Sequence, residues 1–191
     1  MVTAFIDESQ LGGTGSGLRF MLTATIPFSA DCDPMREELL RLLPKNRSKL
    51  HWNESVASAR RDLIDMIGRL DLMHWIVYQD STAGESPERV RRSCIEMLAW
   101  ELQGLQLVDA AMFESRGPAD DNRDRRMFDA LRSRRVLQSP LKVDHLPGPE
   151  EAMLWIPDAV SGAVNERDRG DESYFETLRH QIQLVPTNKG Y

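Results

Sequence analysis

Three carboxylate sites stand where apolar segments break off. Val2 to Ile6 is a short apolar, β-favouring run that stops at two adjacent acids, Asp7 and Glu8. Leu105 to Phe113 is a second such run, and it stops at Glu114. Asp158 interrupts the otherwise apolar and small residues of Leu154–Ala163. Apolar runs this short read as strands buried on both faces, as in the centre of a sheet. A carboxylate at the end of such a strand is costly unless something pairs with it, and a divalent cation is one such partner. Each acid also has a plainer reading: Asp7 and Glu8 reaching solvent at a strand end, Asp158 capping a helix restarted at Pro157.

The elements that would position these acids follow from periodicity and punctuation. Leu18 to Phe28 alternates, with Phe20, Leu22, Ala24 and Ile26 on one face and Arg19, Met21, Thr23 and Thr25 on the other. It is a strand, and the glycines from Gly12 to Gly17 make it an antiparallel hairpin partner of the first. Asp33-Pro34 opens a helix that Pro44 closes. A second helix follows Asn53, with Val56, Leu63, Ile67 and Leu70 at helical spacing. Leu72 to Tyr78 reads as a third strand. Ser86-Pro87 opens the longest helix, with Cys94 on its buried stripe and Gly104 at its end. The fourth strand, Leu105 to Phe113, is followed by an Arg-rich helix and a fifth strand, Leu141 to His145. The C-terminal third reads as helical from Glu150 through Val164, kinked or restarted at Pro157, and from Ser173 to Leu184. The sum is one α/β domain over residues 1–191: a mixed five-stranded sheet flanked by helices, with helices inserted between strands two and three. This is the element order of a ribonuclease-H-like fold. If strands one and four are parallel neighbours, Asp7 and Glu114 reach one sheet edge, where open α/β sheets place their ligands.

Phe5-Ile6-Asp7-Glu8-Ser9 and Leu154-Trp155-Ile156-Pro157-Asp158-Ala159 resemble two signatures of the bacterial and phage domain-of-unknown-function family 3800, which is regarded as ribonuclease-H-like. Gln10 stands in place of that family's usual Gly, Trp155 in place of Gln, Pro157 in place of Ala, and Glu114 where an Asp commonly ends the fourth strand. The resemblance implies a metal-dependent nuclease. Asp7, Glu114, Asp158 and His51 would be its catalytic residues, and Asp7, Glu8, Glu54, Glu114 and Asp158 its metal-binding acids. Mg²⁺ or Mn²⁺ suits such a donor set, because hard cations take oxygen ligands and keep several waters. Two ions about 4 Å apart can activate a water and stabilise a leaving oxygen. In Lys49-Leu50-His51-Trp52-Asn53-Glu54, His51 could position a water or a phosphate. The alternative there is local: Asn53 caps the next helix and Glu54 favours its N-terminus. His145, ending the fifth strand, points to the same edge, while His74 and His180 read as structural. Trp52 and Trp155 could stack on bases or simply pack.

Composition bounds the function. A net charge of −6 argues against a broad nucleic-acid surface, although Arg41, Lys45, Arg47 and Lys49, and the arginines from Arg123 to Arg135, form local basic runs. RNA or DNA is therefore a candidate partner, and a solvated face is the plainer reading of both runs. Cys32 and Cys94 are too few for a disulfide framework, and no apolar run reaches the ~20 residues of a membrane span. No signal-peptide pattern opens the chain, so a cytoplasmic location is expected. Oligomeric state is not written in the sequence. Two other functions compete with the nuclease: a catalytically degenerate module acting by protein contacts, and a nucleotide-binding protein using Gly12–Gly17 as a phosphate cradle.

Overall fold

The computed structural model describes residues 1–12, 18–81, 84–138 and 140–187. Gly13 to Gly17, and with them most of the expected phosphate cradle, lie outside the described residues. A six-stranded sheet forms the centre, comprising β1 (Thr3–Gly12), β2 (Leu18–Pro27), β3 (Leu72–Ser81), β4 (Ala110–Glu114), β5 (Lys142–Leu146) and β6 (Ile182–Pro186). Its order is β5-β4-β1-β2-β3-β6. β1, β2 and β3 form an antiparallel meander, and β4, β5 and β6 add in parallel. The expected five strands become six because Ile182–Pro186 is a strand rather than the end of a helix. The helix α6 (Ser173–Leu178) stops short, and Leu178 and Ile182 only mimic helical spacing. Pro186 is tolerated there because β6 is an edge strand.

Helices cover both faces. On one side α1 (Asp33–Leu42), α2 (Ala57–Ile67), α5 (Trp155–Asp168) and α6 pack around Phe5, Met21 and Ile76. On the other, α3 (Pro87–Leu105) and α4 (Pro118–Ser133) pack around Ile6, Phe20, Leu22 and Val77. Cys94 is in that second core, fully buried. α1 and α2 lie between β2 and β3 in the chain. Among the described residues no helix is long and apolar enough to cross a membrane.

Several expected boundaries move, each for a physical reason. β1 does not stop at Asp7: its hairpin with β2 runs on to Gly12↔Leu18, whereas its pairing with β4 ends at Ile6↔Phe113. The acids therefore mark where the neighbouring strand stops, and a notch opens beside β1. α3 runs past Gly104 to Leu105, and Gln106 takes the left-handed cap with φ 55°. β4 accordingly begins at Ala110, not at Leu105. Asn53 caps nothing; it sits in a 3-10 turn, Trp52–Glu54, and α2 starts only at Ala57. Pro157 neither kinks nor restarts a helix, because it lies in the first turn of α5, where its missing N–H costs no hydrogen bond.

α5 is the most deeply embedded helix, with a buried run from Ala159 to Asn165. Gly162 permits this. A Cβ there would come within 2.3 Å of the Trp52 ring, which lies against the helix backbone. Tyr174 closes the same ring edge-on at 5.1 Å, and the Arg60 guanidinium covers it at 4.8 Å. Gly162→Ala should therefore cost about 1–3 kcal/mol by overpacking. Urea denaturation reads this directly, and an unchanged midpoint would show that Trp52 is not seated on Gly162.

Candidate functional site

Side chains alternate along a strand, so Asp7 shares a face of β1 with Phe5 and Ser9, the face covered by α5. Glu114 shares a face with Met112, which packs against the same core. Asp158 sits in the first turn of α5, near the helix's positive end. Asp7, Glu114 and Asp158 thus meet at the notch. Burial pushes the Asp7 carboxyl well above its ordinary range, and the charges of Glu114 and then Asp158 push it further. The Glu8 N–H, donating to Asp7 Oδ1 at 2.8 Å, and the charge of Lys49 oppose that rise without cancelling it.

Each of the other two acids has its own partner. Lys49 Nζ donates to Glu114 Oε1 at 2.5 Å, while Glu114 Oε2 is buried without a hydrogen bond. The Trp52 backbone N–H donates to Asp158 Oδ2 at 2.9 Å, and His51 Nδ1 stands 3.6 Å from the same oxygen. Asp158 is therefore no helix cap; it receives the 3-10 turn of Trp52. Behind the acids runs a polar seam. Thr23, paired with Asp7 across the hairpin, shares a 2.7 Å hydrogen bond with Ser161, and Asn165 Nδ2 donates to Ser9 Oγ at 3.0 Å. Asp158, Ser161 and Asn165 lie on one face of α5 at spacings of three and four.

The remaining expected ligands are elsewhere. Glu8, one residue from Asp7, points to the opposite face, where Arg91 Nε donates to it at 2.6 Å and Arg116 stands 3.6 Å away. Glu54 is tied to Arg47 and exposed. His145 is also on the opposite face, stacked on Phe113 with Nε2 3.1 Å from Asp124. Burial opposes ionisation of Asp124, but hydrogen bonds from His145 and Arg91 outweigh it and hold the carboxyl down at about 2. Trp52 and Trp155 are core residues and offer no stacking face; Trp155 Nε1 donates to the Gly148 carbonyl at 2.7 Å. His74 is fully buried, and burial holds its imidazole down at about 3. The basic runs are largely spent on ion pairs, Arg41 with Glu37, Arg123 with Asp120 and Arg132 with Asp129 among them.

Beside the acids opens a cavity of about 250 Å³, lined by Leu42, Arg47, Lys49, Leu50, His51 and Leu63 among others. His51 and Lys49 belong both to this cavity and to the acid cluster. In kind the donor set fits a hard cation: three carboxylates, one with an unpartnered oxygen. In place, no three His, Cys, Asp or Glu among the described residues are gathered closely enough to hold an ion. Lys49, which sequence reasoning assigned to a basic surface run, is what neutralises Glu114. Ser161 and Asn165 were also missed, although polar residues three and seven positions after Asp158 in an apolar helix were a readable signal.

No family model and no curated protein matches the chain. A solved structure of the PCNA:RNase HII complex from Archaeoglobus fulgidus is similar, with a TM-score of 0.55 at 14% identity, over 94% of this chain and 77% of that one. At that identity the likeness is one of fold, a mixed α/β sheet flanked by helices.

Asp7 binds its proton more tightly in the folded chain than in the unfolded one. The stability linked to it is therefore fully present below the ordinary value of 3.8 and is lost as pH rises through the raised folded value. Asp7→Asn removes that loss. Without metal it should be more stable than wild type at neutral pH, with a shallower fall from about pH 4 upward. Urea midpoints across pH test this, and an unchanged slope would contradict it.

Proposed function

We propose that the chain is a divalent-metal-dependent nuclease of ribonuclease-H-like fold, belonging to domain-of-unknown-function family 3800. Asp7, Glu114 and Asp158 are its metal-binding carboxylates. The observation that carries this reading is Asp7, a carboxyl held in a buried place against the repulsion of two others. Such an arrangement opposes folding and is typical of sites kept for chemistry. Bound there, Mg²⁺ or Mn²⁺ would make a water nucleophilic and stabilise charge on the phosphoryl oxygens. The protein's own groups then have distinct tasks. The Trp52 N–H and the N-terminus of α5 orient Asp158. Ser161 holds Thr23, the partner of Asp7 across the hairpin, and fixes the wall behind that acid. His51, part exposed between Asp158 and the cavity, is placed to hold a phosphate oxygen or pass a proton to the leaving group. The cavity receives the nucleotide beside the scissile bond, its apolar floor of Leu42, Leu50 and Leu63 excluding water.

A second reading rests on the Lys49–Glu114 pair: a catalytically degenerate module in which an ammonium has replaced the metal and the fold serves protein contacts.

Cleavage of labelled RNA and DNA oligonucleotides in Mn²⁺ separates the two. The nuclease reading expects cleavage by wild type, a loss of about 100-fold or more in Asp158→Asn, and a loss of about 10- to 100-fold in His51→Ala. Oligonucleotide binding should weaken with salt, but with a shallow slope, because most of the nearby arginines are already paired. No cleavage of any substrate by folded wild type would leave the degenerate module.

A further inference from the structure

Among the described residues Lys49 is the lysine or arginine that sits directly on the acid cluster, and its surroundings are shaped to keep it there. Its bond to Glu114 is mostly shielded, with side-chain exposures of 19% and 18%. A shielded ion pair is screened less by salt than a surface one. The backbone at Gly148 passes so close that an added Cβ would lie 2.7 Å from Glu114 Oε1 and 3.0 Å from Lys49 Cδ. Trp155 clamps that backbone through the Gly148 carbonyl. The neighbouring arginines are committed elsewhere: Arg47, which shares the cavity with Lys49, to Glu54, and Arg91 and Arg116 to Glu8 on the far face.

We propose that Lys49 is a built-in counter-cation, whose ammonium on Glu114 holds the acid cluster together without metal and competes with a divalent cation for that carboxylate. Ammonium and metal cannot both occupy Glu114 Oε1, and a metal on the unpartnered Oε2 would face the ammonium across one carboxylate, so the two cations compete for Glu114. The structure provides the exit. Lys49 also lines the 250 Å³ cavity, whose wall carries Asp62, so the displaced ammonium moves toward an acidic side chain. The four-carbon stem makes this a swing about side-chain torsions with no backbone rearrangement. The chain therefore has two states of one site, a closed state with Lys49 inside and an open state with metal inside. The metal arm of this proposal rests on the nuclease reading.

Lys49→Met keeps the length of the stem without its charge, and Lys49→Gln keeps a hydrogen-bond donor. Melting with and without Mn²⁺ and calorimetric Mn²⁺ titration are run on both variants and wild type. Without metal the variants should melt lower, by on the order of 5 °C. Their Mn²⁺ affinity should rise at least about tenfold, with a larger Mn²⁺-dependent gain in melting temperature than wild type. If Lys49→Met folds only when Mn²⁺ is present, that too is the expected competition, and Lys49→Gln supplies the affinity. Mn²⁺ binding by wild type that is equal or weaker in the variants overturns the role given to Lys49 and leaves the nuclease reading intact. Absence of Mn²⁺ binding in all three overturns the metal reading, and the competition with it.

Discussion

The structure depends on seating a nearly all-buried helix against the central hairpin. α5 has protein on most of its sides, so any polar residue on it must find a partner or sit at a boundary. Gly162 lets the Trp52 ring lie against the helix, and that contact brings the Trp52 backbone onto Asp158. The same seating places Ser161 on Thr23 and Asn165 on Ser9. Once the helix is in place, Asp158 has nowhere to go except the notch beside Asp7. Packing of an apolar helix thus decides where the acids meet.

The two faces of the sheet treat charge in opposite ways. On the α3–α4 side, Glu8, Arg91, Asp124 and His145 form a buried network in which each carboxylate meets an arginine, and Asp124 is kept ionised. On the α5 side, three carboxylates share one lysine, and Asp7 is driven toward its protonated form. Neighbouring residues of one strand, Asp7 and Glu8, feed these two environments because a strand alternates its faces. The paired network ties α3 and α4 to β1 and β5 through Arg91, Asp124, Glu8 and His145. The underpaired cluster stores an unfavourable interaction that a cation can relieve.

Much of this was legible in the sequence, and the reasons for the remainder are specific. Short apolar runs ending in acids marked β1 and β4, and the sheet pairs the two in parallel. The faces of β2 were written in its alternation. β6 was hidden because Leu178 and Ile182 are spaced as on a helix, and only Ile182, Leu184 and the chain beyond them carry the strand period. Glu8 was misplaced because adjacency in sequence is opposition in a strand. Lys49 could not be told apart from Arg41, Lys45 and Arg47, since nothing local shows which of four basic residues turns inward. Its position is set by Glu114 and Gly148, both distant in the chain. Glu54 and His145 failed for a similar reason: Arg47 and Asp124 were nearer claimants than the acids.

Asp7 lies on the first strand and Asp158 on the fifth helix, with the other strands and helices of the sheet, β6 and α6 apart, between them in the chain. Contacts of such sequence separation form late, because loop-closure entropy must be overcome before they return any energy. During folding, the hairpin of β1 and β2 can form locally while its acids are still far apart and well hydrated. The repulsion between Asp7 and Glu114 therefore arises when β4 pairs with β1, and that with Asp158 is added when α5 docks. A cation arriving at that moment would act less on whether the chain collapses than on how long the docked helix stays in place.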